Sequence, residues 1–165
     1  DQQIESWIGR EIEMVKTAHD SGVKVLGICF GGQVLSKALG GNVESASRPE
    51  IGWHEVKANN PDSPINGLWF QWHYDKFSVP DGAEELARSE TCTQAFSMGS
   101  SLGIQFHPEV SSTQLAKWVM ISKEELTKNN LDGTKLLDDT KINEVEASVR
   151  SESLLDWHLA DLMKT

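Results

Sequence analysis

The stretch Lys24–Gly41, KVLGICFGGQVLSKALGG, decides how the rest of the chain is read. Val23–Ile28 is a short apolar run bounded by Ser21-Gly22, the pattern of a buried strand. At Cys29 the pattern turns helical, with Val34, Leu35, Ala38 and Leu39 on one face and Gly40-Gly41 as the stop. A cysteine at a strand-to-helix turn, with Gly27 two before it and Gly31 two after, has the form of a nucleophile elbow. Such a turn holds the nucleophile in a strained conformation, and its glycines leave room for the nucleophile's Cβ and for a substrate. The helix that follows aims its free N–H groups and positive end at the sulfur, a setting that favours thiolate. Phe30 N–H is placed to be an oxyanion donor. The same residues also fit a buried cysteine on a core strand, so the choice rests on the rest of the chain.

A chain of 165 residues suits one domain with a single sizeable core. Its 38% hydrophobic and 24% charged residues are ordinary for a soluble globular protein. A formal net charge of −10 argues against nucleic acid and anionic membrane as partners. Cys29 and Cys92 are the only cysteines, so no disulfide framework is expected and a reducing, cytoplasmic setting is. Cys92 matches no motif and reads as structural. No signal-peptide pattern or membrane-spanning run is visible. The chain opens at Asp1, without Met and almost inside a helix, which leads us to expect that its natural beginning is missing.

Ile4, Ile8, Ile12 and Val15 recur at near-helical spacing, so residues 2–20 read as an amphipathic helix. With the elbow strand and its helix this makes an α-β-α alternation, which implies an α/β layer fold on a parallel sheet. Residues 51–58 alternate as a strand, Gly67–His73 reads as an aromatic-rich strand, and Glu85–Arg88, Thr93–Met98 and Leu102–Phe106 complete a run of β structure. From Ser111 the pattern is helical. Leu115, Trp118, Val119, Ser122 and Leu126 share one face, capped by Ser111 or Ser112, and Leu155, Leu159 and Leu162 share another. Residues 126–165 read as a helical extension packed on the domain formed by residues 1–125.

A catalytic cysteine needs a base within hydrogen-bond reach, oriented by an acceptor. His19 and His158 read as helix-terminus residues, and His54 has no acid placed to orient it. His73 begins His-Tyr-Asp and His107 begins His-Pro-Glu. In extended backbone, residues two apart point to the same side, so His107 can meet Glu109 and His73 can meet Asp75. Pro108 restricts its own φ and that of His107, which pre-sets the first pair and favours it over the second. The end of a parallel strand is also where α/β sites assemble. Two distant cysteines and scattered histidines give no metal-ligand spacing, and no cofactor is expected.

Gly27-Ile28-Cys29-Phe30-Gly31-Gly32-Gln33, with Gln105-Phe106-His107-Pro108-Glu109, resembles the class I (triad) glutamine amidotransferases. Trp72-His73-Tyr74-Asp75-Lys76-Phe77 and Pro80-Asp81-Gly82-Ala83 resemble the segment that those proteins place beside the glutamine pocket. The nearest members are the stand-alone type similar to the glutaminase half of guanylate synthetase. The resemblance covers residues 1 to about 125. It implies a three-layer, flavodoxin-like α/β fold with a mostly parallel central sheet, flanking helices and a helical C-terminal extension.

The resemblance also implies roles. Cys29 attacks the side-chain amide of glutamine, His107 moves the proton and Glu109 orients His107. Phe30 N–H supplies an oxyanion donor. Gly31, Gln33 and the backbone around Trp72, His73 and Tyr74 line the glutamine site, so His73 is there a pocket residue and not the base. Members of the family begin with two or three strands and a loop that donates a second oxyanion N–H. Nothing before Asp1 supplies these, and loss of one such donor costs roughly 10²–10³ in rate.

Ammonia released from glutamine needs an acceptor enzyme, and no ATP-binding or synthetase motif is present. Two other readings stay open. A γ-glutamyl peptide hydrolase would use the same triad with a wider pocket, which Trp69-Phe70-Gln71-Trp72 could line unless they are ordinary core. A catalytically idle binding or regulatory module would keep the fold alone.

Overall fold

A computed structural model describes the backbone of residues 2–160 and the side chains of residues 7–160; the Ile4 side chain and Leu162 lie outside these. Helix α1 spans Gln2–Asp20, with Ile8, Ile12 and Val15 turned partly inward and Trp7 and Met14 outward. Strand β1 is Val25–Ile28 and helix α2 is Phe30–Ala38, so Cys29 alone separates them. The strands β2 (Val43–Ala58), β3 (Gly67–Phe77), β4 (Glu84–Arg88), β5 (Thr93–Met98) and β6 (Ser101–Ile104) follow. Helices α3 (Ser112–Ile121), α4 (Lys123–Lys128) and α5 (Gly133–Leu159) close the chain. Ser111 caps α3, its side chain accepting from Gln114 N–H at 3.2 Å.

The α/β class holds, with helices on both faces of one six-stranded sheet ordered β1-β6-β5-β4-β2-β3. The sheet is mixed where a mostly parallel one is expected. Among the described residues β1 and β6 form its parallel ladder and the remaining pairs are antiparallel. The cause is loop length. After α2 no helix intervenes before α3, and the short connections within the β2–β3, β4–β5 and β5–β6 pairs admit only antiparallel pairing. β1–β6 and β2–β4 each join strands that are not consecutive, and of these β1–β6 is parallel. β2 also jogs: Ser45 faces Asp75 and Glu50 faces His73, so extra residues on β2 bulge between the two pairs.

Leu35, Phe77 and Phe96 pack with Val15 and Val25 beneath α1 and α2. On the other side Trp69 stacks on Phe106 at 4.6 Å between ring centroids, among Val56, Leu102, Ile104 and Leu154 of α5. A third cluster joins Ile51 and Phe70 to Leu115, Leu126 and Leu136 of the three last helices. Each fully buried side chain of this kind contributes about 1.5–3 kcal/mol. Trp69, Phe70 and Gln71 are wholly buried, so of the aromatic run only Trp72 reaches the partly exposed zone. The inward stripe of α5 is Leu136, Thr140, Ala147 and Leu154, whereas the expected Leu155 and Leu159 are exposed. A stripe of fours and sevens tracks the helical period, and Leu155 lies one position off it. Among the described residues no helix is long and apolar enough to cross a membrane.

Candidate active site

Cys29 takes φ +49° and ψ −106°, a left-handed conformation that a non-glycine residue adopts only under strain of about 1–3 kcal/mol. Three close fits hold it there. Its N–H donates to Ile104 O at 2.8 Å, extending the parallel ladder to the cysteine itself. A Cβ at Gly27 would lie 2.5 Å from Gly31 O, and one at Gly32 would lie 2.6 Å from Ile104 O. Gly31, by contrast, faces open space. The tight glycines are therefore Gly27 and Gly32, and Gly31 marks the open side. Phe30 opens α2, so its N–H belongs to the first turn and has no intrahelical acceptor.

β6 runs beside β1, so the chain that leaves β6 passes the sulfur. Gln105 follows directly in that register, and its Nε2 donates to Cys29 Sγ at 3.7 Å. His107 N–H donates to Phe70 O at 2.8 Å, which ties the segment to β3. His107 Nδ1 lies 2.7 Å from Glu109 Oε1, with the imidazole side chain 13% exposed and the carboxylate 46% exposed. Burial pushes the His107 pKa down, but hydrogen bonds and charge attraction from Cys29 and Glu109 outweigh it and raise it to about 9. Cys29, His107 and Glu109 are thus brought together where the two parallel strands end. The ring also packs edge-on against Trp118 of α3 at 5.2 Å, which fixes its plane. Trp118 is a neighbour that sequence reading placed only on a helix face.

The other expected residues divide between two sides of β3. Trp72 O lies 3.9 Å from Cys29 Sγ, and the Trp72 ring meets Trp118 at 6.0 Å. Trp72 Nε1 and Tyr74 OH both donate to Glu125 Oε1, at 2.8 and 2.9 Å, so α4 supports this wall. Gln33 Nε2 donates to Asp75 O at 3.2 Å. His73 turns to the opposite side, as strand alternation requires, and is 4% exposed. Its Nε2 lies 3.1 Å from Glu50 Oε2, and its Nδ1 meets the carbonyl of Asp75 at 3.0 Å. The Asp75 carboxylate accepts from Ser45 Oγ at 3.2 Å instead. Glu50, Gln105, Trp118 and Glu125 escaped the sequence reading of the site; for Gln105 its place two residues before His107 was the available signal.

Glu50, His73 and Cys92 bring donor atoms within 4.8 Å of one another, a cluster that their sequence spacing conceals. The donors are already engaged. Glu50 Oε2 accepts from His73 Nε2, from Gln94 Nε2 at 2.8 Å and from the Cys92 thiol at 3.7 Å. Burial first, then the Glu50 charge, push the Cys92 pKa up to about 12, so it keeps its proton.

The chain is similar in sequence and in fold to known proteins. The family model of glutamine amidotransferase class-I matches residues 3–123. A glutamine-hydrolyzing GMP synthase subunit of Sulfurisphaera tokodaii is 38% identical over 98 residues, which are 54% of this chain and 52% of the relative. The glutamine-hydrolyzing GMP synthase of Aeropyrum pernix is 37% identical over 123 residues, 69% of this chain and 24% of the relative. The matches thus span from about a fifth to about half the length of such curated relatives. A glutamine amidotransferase structure from Thermotoga maritima superposes with a TM-score of 0.88 at 29% identity, covering 96% of this chain and 72% of that one. One from Methylobacillus flagellatus gives a TM-score of 0.81 at 29% identity, covering 90% and 67%. An elbow cysteine, a histidine–glutamate pair at the adjoining strand end and a family match over most of the chain lead to one assignment: this chain belongs to the class I glutamine amidotransferases.

Proposed function

We propose that the chain hydrolyses the side-chain amide of glutamine through Cys29, His107 and Glu109. The observation that carries this reading is the 2.7 Å His107–Glu109 contact beside a cysteine held at positive φ. Cys29 Sγ attacks the amide carbonyl carbon, and the carbonyl oxygen becomes an oxyanion facing Phe30 N–H. His107 gives its proton to the departing nitrogen, so the C–N bond breaks with loss of ammonia and a γ-glutamyl thioester remains. Neutral His107 then takes a proton from water, hydroxide adds to the thioester, and glutamate leaves as the thiolate is restored. Glu109 holds Nδ1–H and stabilises the imidazolium. Gly31, Gln33 and the backbone of residues 72–74 line the glutamine site, and no cofactor takes part.

The ammonia passes to an acceptor synthetase, in keeping with relatives named as glutamine-hydrolyzing GMP synthases, one of them as a separate subunit. The setting is cytoplasmic, where Cys29 and Cys92 stay free thiols. A wide pocket for γ-glutamyl peptides loses its sequence argument, because Trp69 and Phe70 are core residues. The test is glutamate and ammonia release from glutamine, with and without a glutamine-analogue electrophile that traps thiolates. Wild-type protein turns over and is labelled at Cys29 but not Cys92; Cys29→Ala does neither while keeping its fold. Residual turnover in Cys29→Ala sinks the assignment, and an unlabelled, inactive wild type favours an idle module.

A further inference from the structure

We propose that Glu50 and His73 are a positioning pair that holds the 72–75 segment of β3 against the nucleophile's helix from behind. The consequence for catalysis rests on the reading of Cys29 above; the contacts and their test do not. Glu50 and His73 face each other directly across the β2–β3 ladder, immediately after the bulge in β2. Both side chains are 2% exposed, and their contact is 3.1 Å. Around them the same two strands bury Ile51, Val56, Trp69 and Phe70, so an apolar pair would serve the core equally well. The polar pair does something that an apolar one cannot.

Three donors converge on Glu50 Oε2, from His73, Gln94 and Cys92, and they fix the plane of the carboxylate. That in turn fixes the imidazole ring, since both of its nitrogens face oxygens that accept: Glu50 Oε2 on one side and Asp75 O on the other. Burial raises the Glu50 pKa, but the bonds from His73 and Ser89 and the charges of His73 and His54 overcome this and hold it below the usual carboxylate range. The Asp75 carbonyl is the junction. It accepts His73 Nδ1–H at 3.0 Å and Gln33 Nε2–H at 3.2 Å. Gln33 stands one turn into α2, and its N–H bonds to Cys29 O at 3.1 Å. The path therefore runs Glu50, His73, Asp75 carbonyl, Gln33, first turn of α2, Cys29. Its second effect is on Trp72, the neighbour of His73, whose carbonyl lies 3.9 Å from Cys29 Sγ.

The two bonds of His73 can be separated by substitution. His73→Gln places an amide near Nε2, keeping a partner for Glu50 and losing the bond to Asp75 O. His73→Asn places an amide near Nδ1, keeping the Asp75 bond and stranding Glu50. Gln33→Met removes the other donor to the same carbonyl. Hydrogen exchange, read by mass spectrometry on the full chain, compares segments 72–77 and 30–34 with α5 as an internal reference. His73→Gln and Gln33→Met are each expected to speed exchange in both segments by about tenfold or more and leave α5 unchanged, and His73→Gln to lower kcat for glutamine more than it raises KM. If His73→Asn loosens these segments more than His73→Gln, the pair is a plain stabiliser and the proposal is overturned. If His73 variants do not fold, Gln33→Met decides: unchanged exchange at 72–77 overturns the proposal. A wild type that does not hydrolyse glutamine counts against the proposed function, and exchange alone still decides the positioning role.

Discussion

Two close histidine–glutamate pairs, His107–Glu109 at 2.7 Å and His73–Glu50 at 3.1 Å, differ in almost every respect except chemistry. His107 and Glu109 lie two residues apart on one segment, and the carboxylate is 46% exposed. Glu50 and His73 come from different strands, and both side chains are 2% exposed. The first pair faces Cys29 and the cleft side of Trp72 and Trp118, where a proton can be exchanged with substrate or water. The second sits behind β3, with His73 bonded on both ring nitrogens to Glu50 and to the Asp75 carbonyl, and Glu50 Oε1 turned 3.8 Å from His54. Exposure, not residue type, thus separates a pair suited to moving protons from one suited to holding backbone.

This contrast breaks if the two acids behave alike on substitution. Glu109→Gln lowers kcat for glutamine by roughly 10²–10⁴-fold with little change in melting temperature, because it removes the orienter of a working ring. Asp75→Asn, at the other His-x-acid spacing, changes kcat little, since that carboxylate bonds Ser45. The reverse order would make His73 the base. Glu50→Gln differs in its stability cost: breaking a buried pair costs roughly 3–5 kcal/mol, seen as a fall of roughly 6–20 °C in Tm by calorimetry.

A pH profile sharpens the comparison further. The His107 pKa is raised from 6.5 to about 9, so the protonated ring stabilises the native state fully below 6.5. That contribution is lost as pH rises through about 9. Glutamine hydrolysis falls on the same limb, because the imidazolium is the acid that releases ammonia, and Glu109→Gln shifts the limb to lower pH. The smallest effects test the two sides of the elbow. Gly32→Ala, with its Cβ 2.6 Å from Ile104 O, destabilises by about 1–3 kcal/mol. Gly31→Ala, which meets nothing within 4 Å, gains about 0.5–1 kcal/mol from helix propensity. Equal urea midpoints for the two variants would refute that asymmetry.

Much of the active side was legible because its geometry is local. Cys29 between an apolar strand and a helical pattern announces a sharp turn, and Pro108 between His107 and Glu109 announces an extended pair. Most strand spans were readable within a few residues, Thr93–Met98 without any change, but β2 begins at Val43, eight residues before the expected start at Ile51. The face of α5 was not, because its sparse apolar residues leave the register of the stripe ambiguous until β2, β3 and Pro108 meet it. Trp53 Nε1–Thr140 Oγ1 at 2.9 Å is one such contact, between residues 87 apart in sequence.

By itself, then, the sequence determined the elbow, the cysteine at its apex, the histidine–glutamate segment and the family to which they belong. Each is encoded by residues within a turn or two of one another, where backbone sterics and strand alternation leave few outcomes. Tertiary structure decided which strands run antiparallel, which glycines are tight, and that Gln105 reaches the sulfur. It also gave His73 a buried partner in Glu50. These depend on strand register and on which chain segments become neighbours, and such long-range pairing is settled by the packing of the whole core rather than by any local pattern.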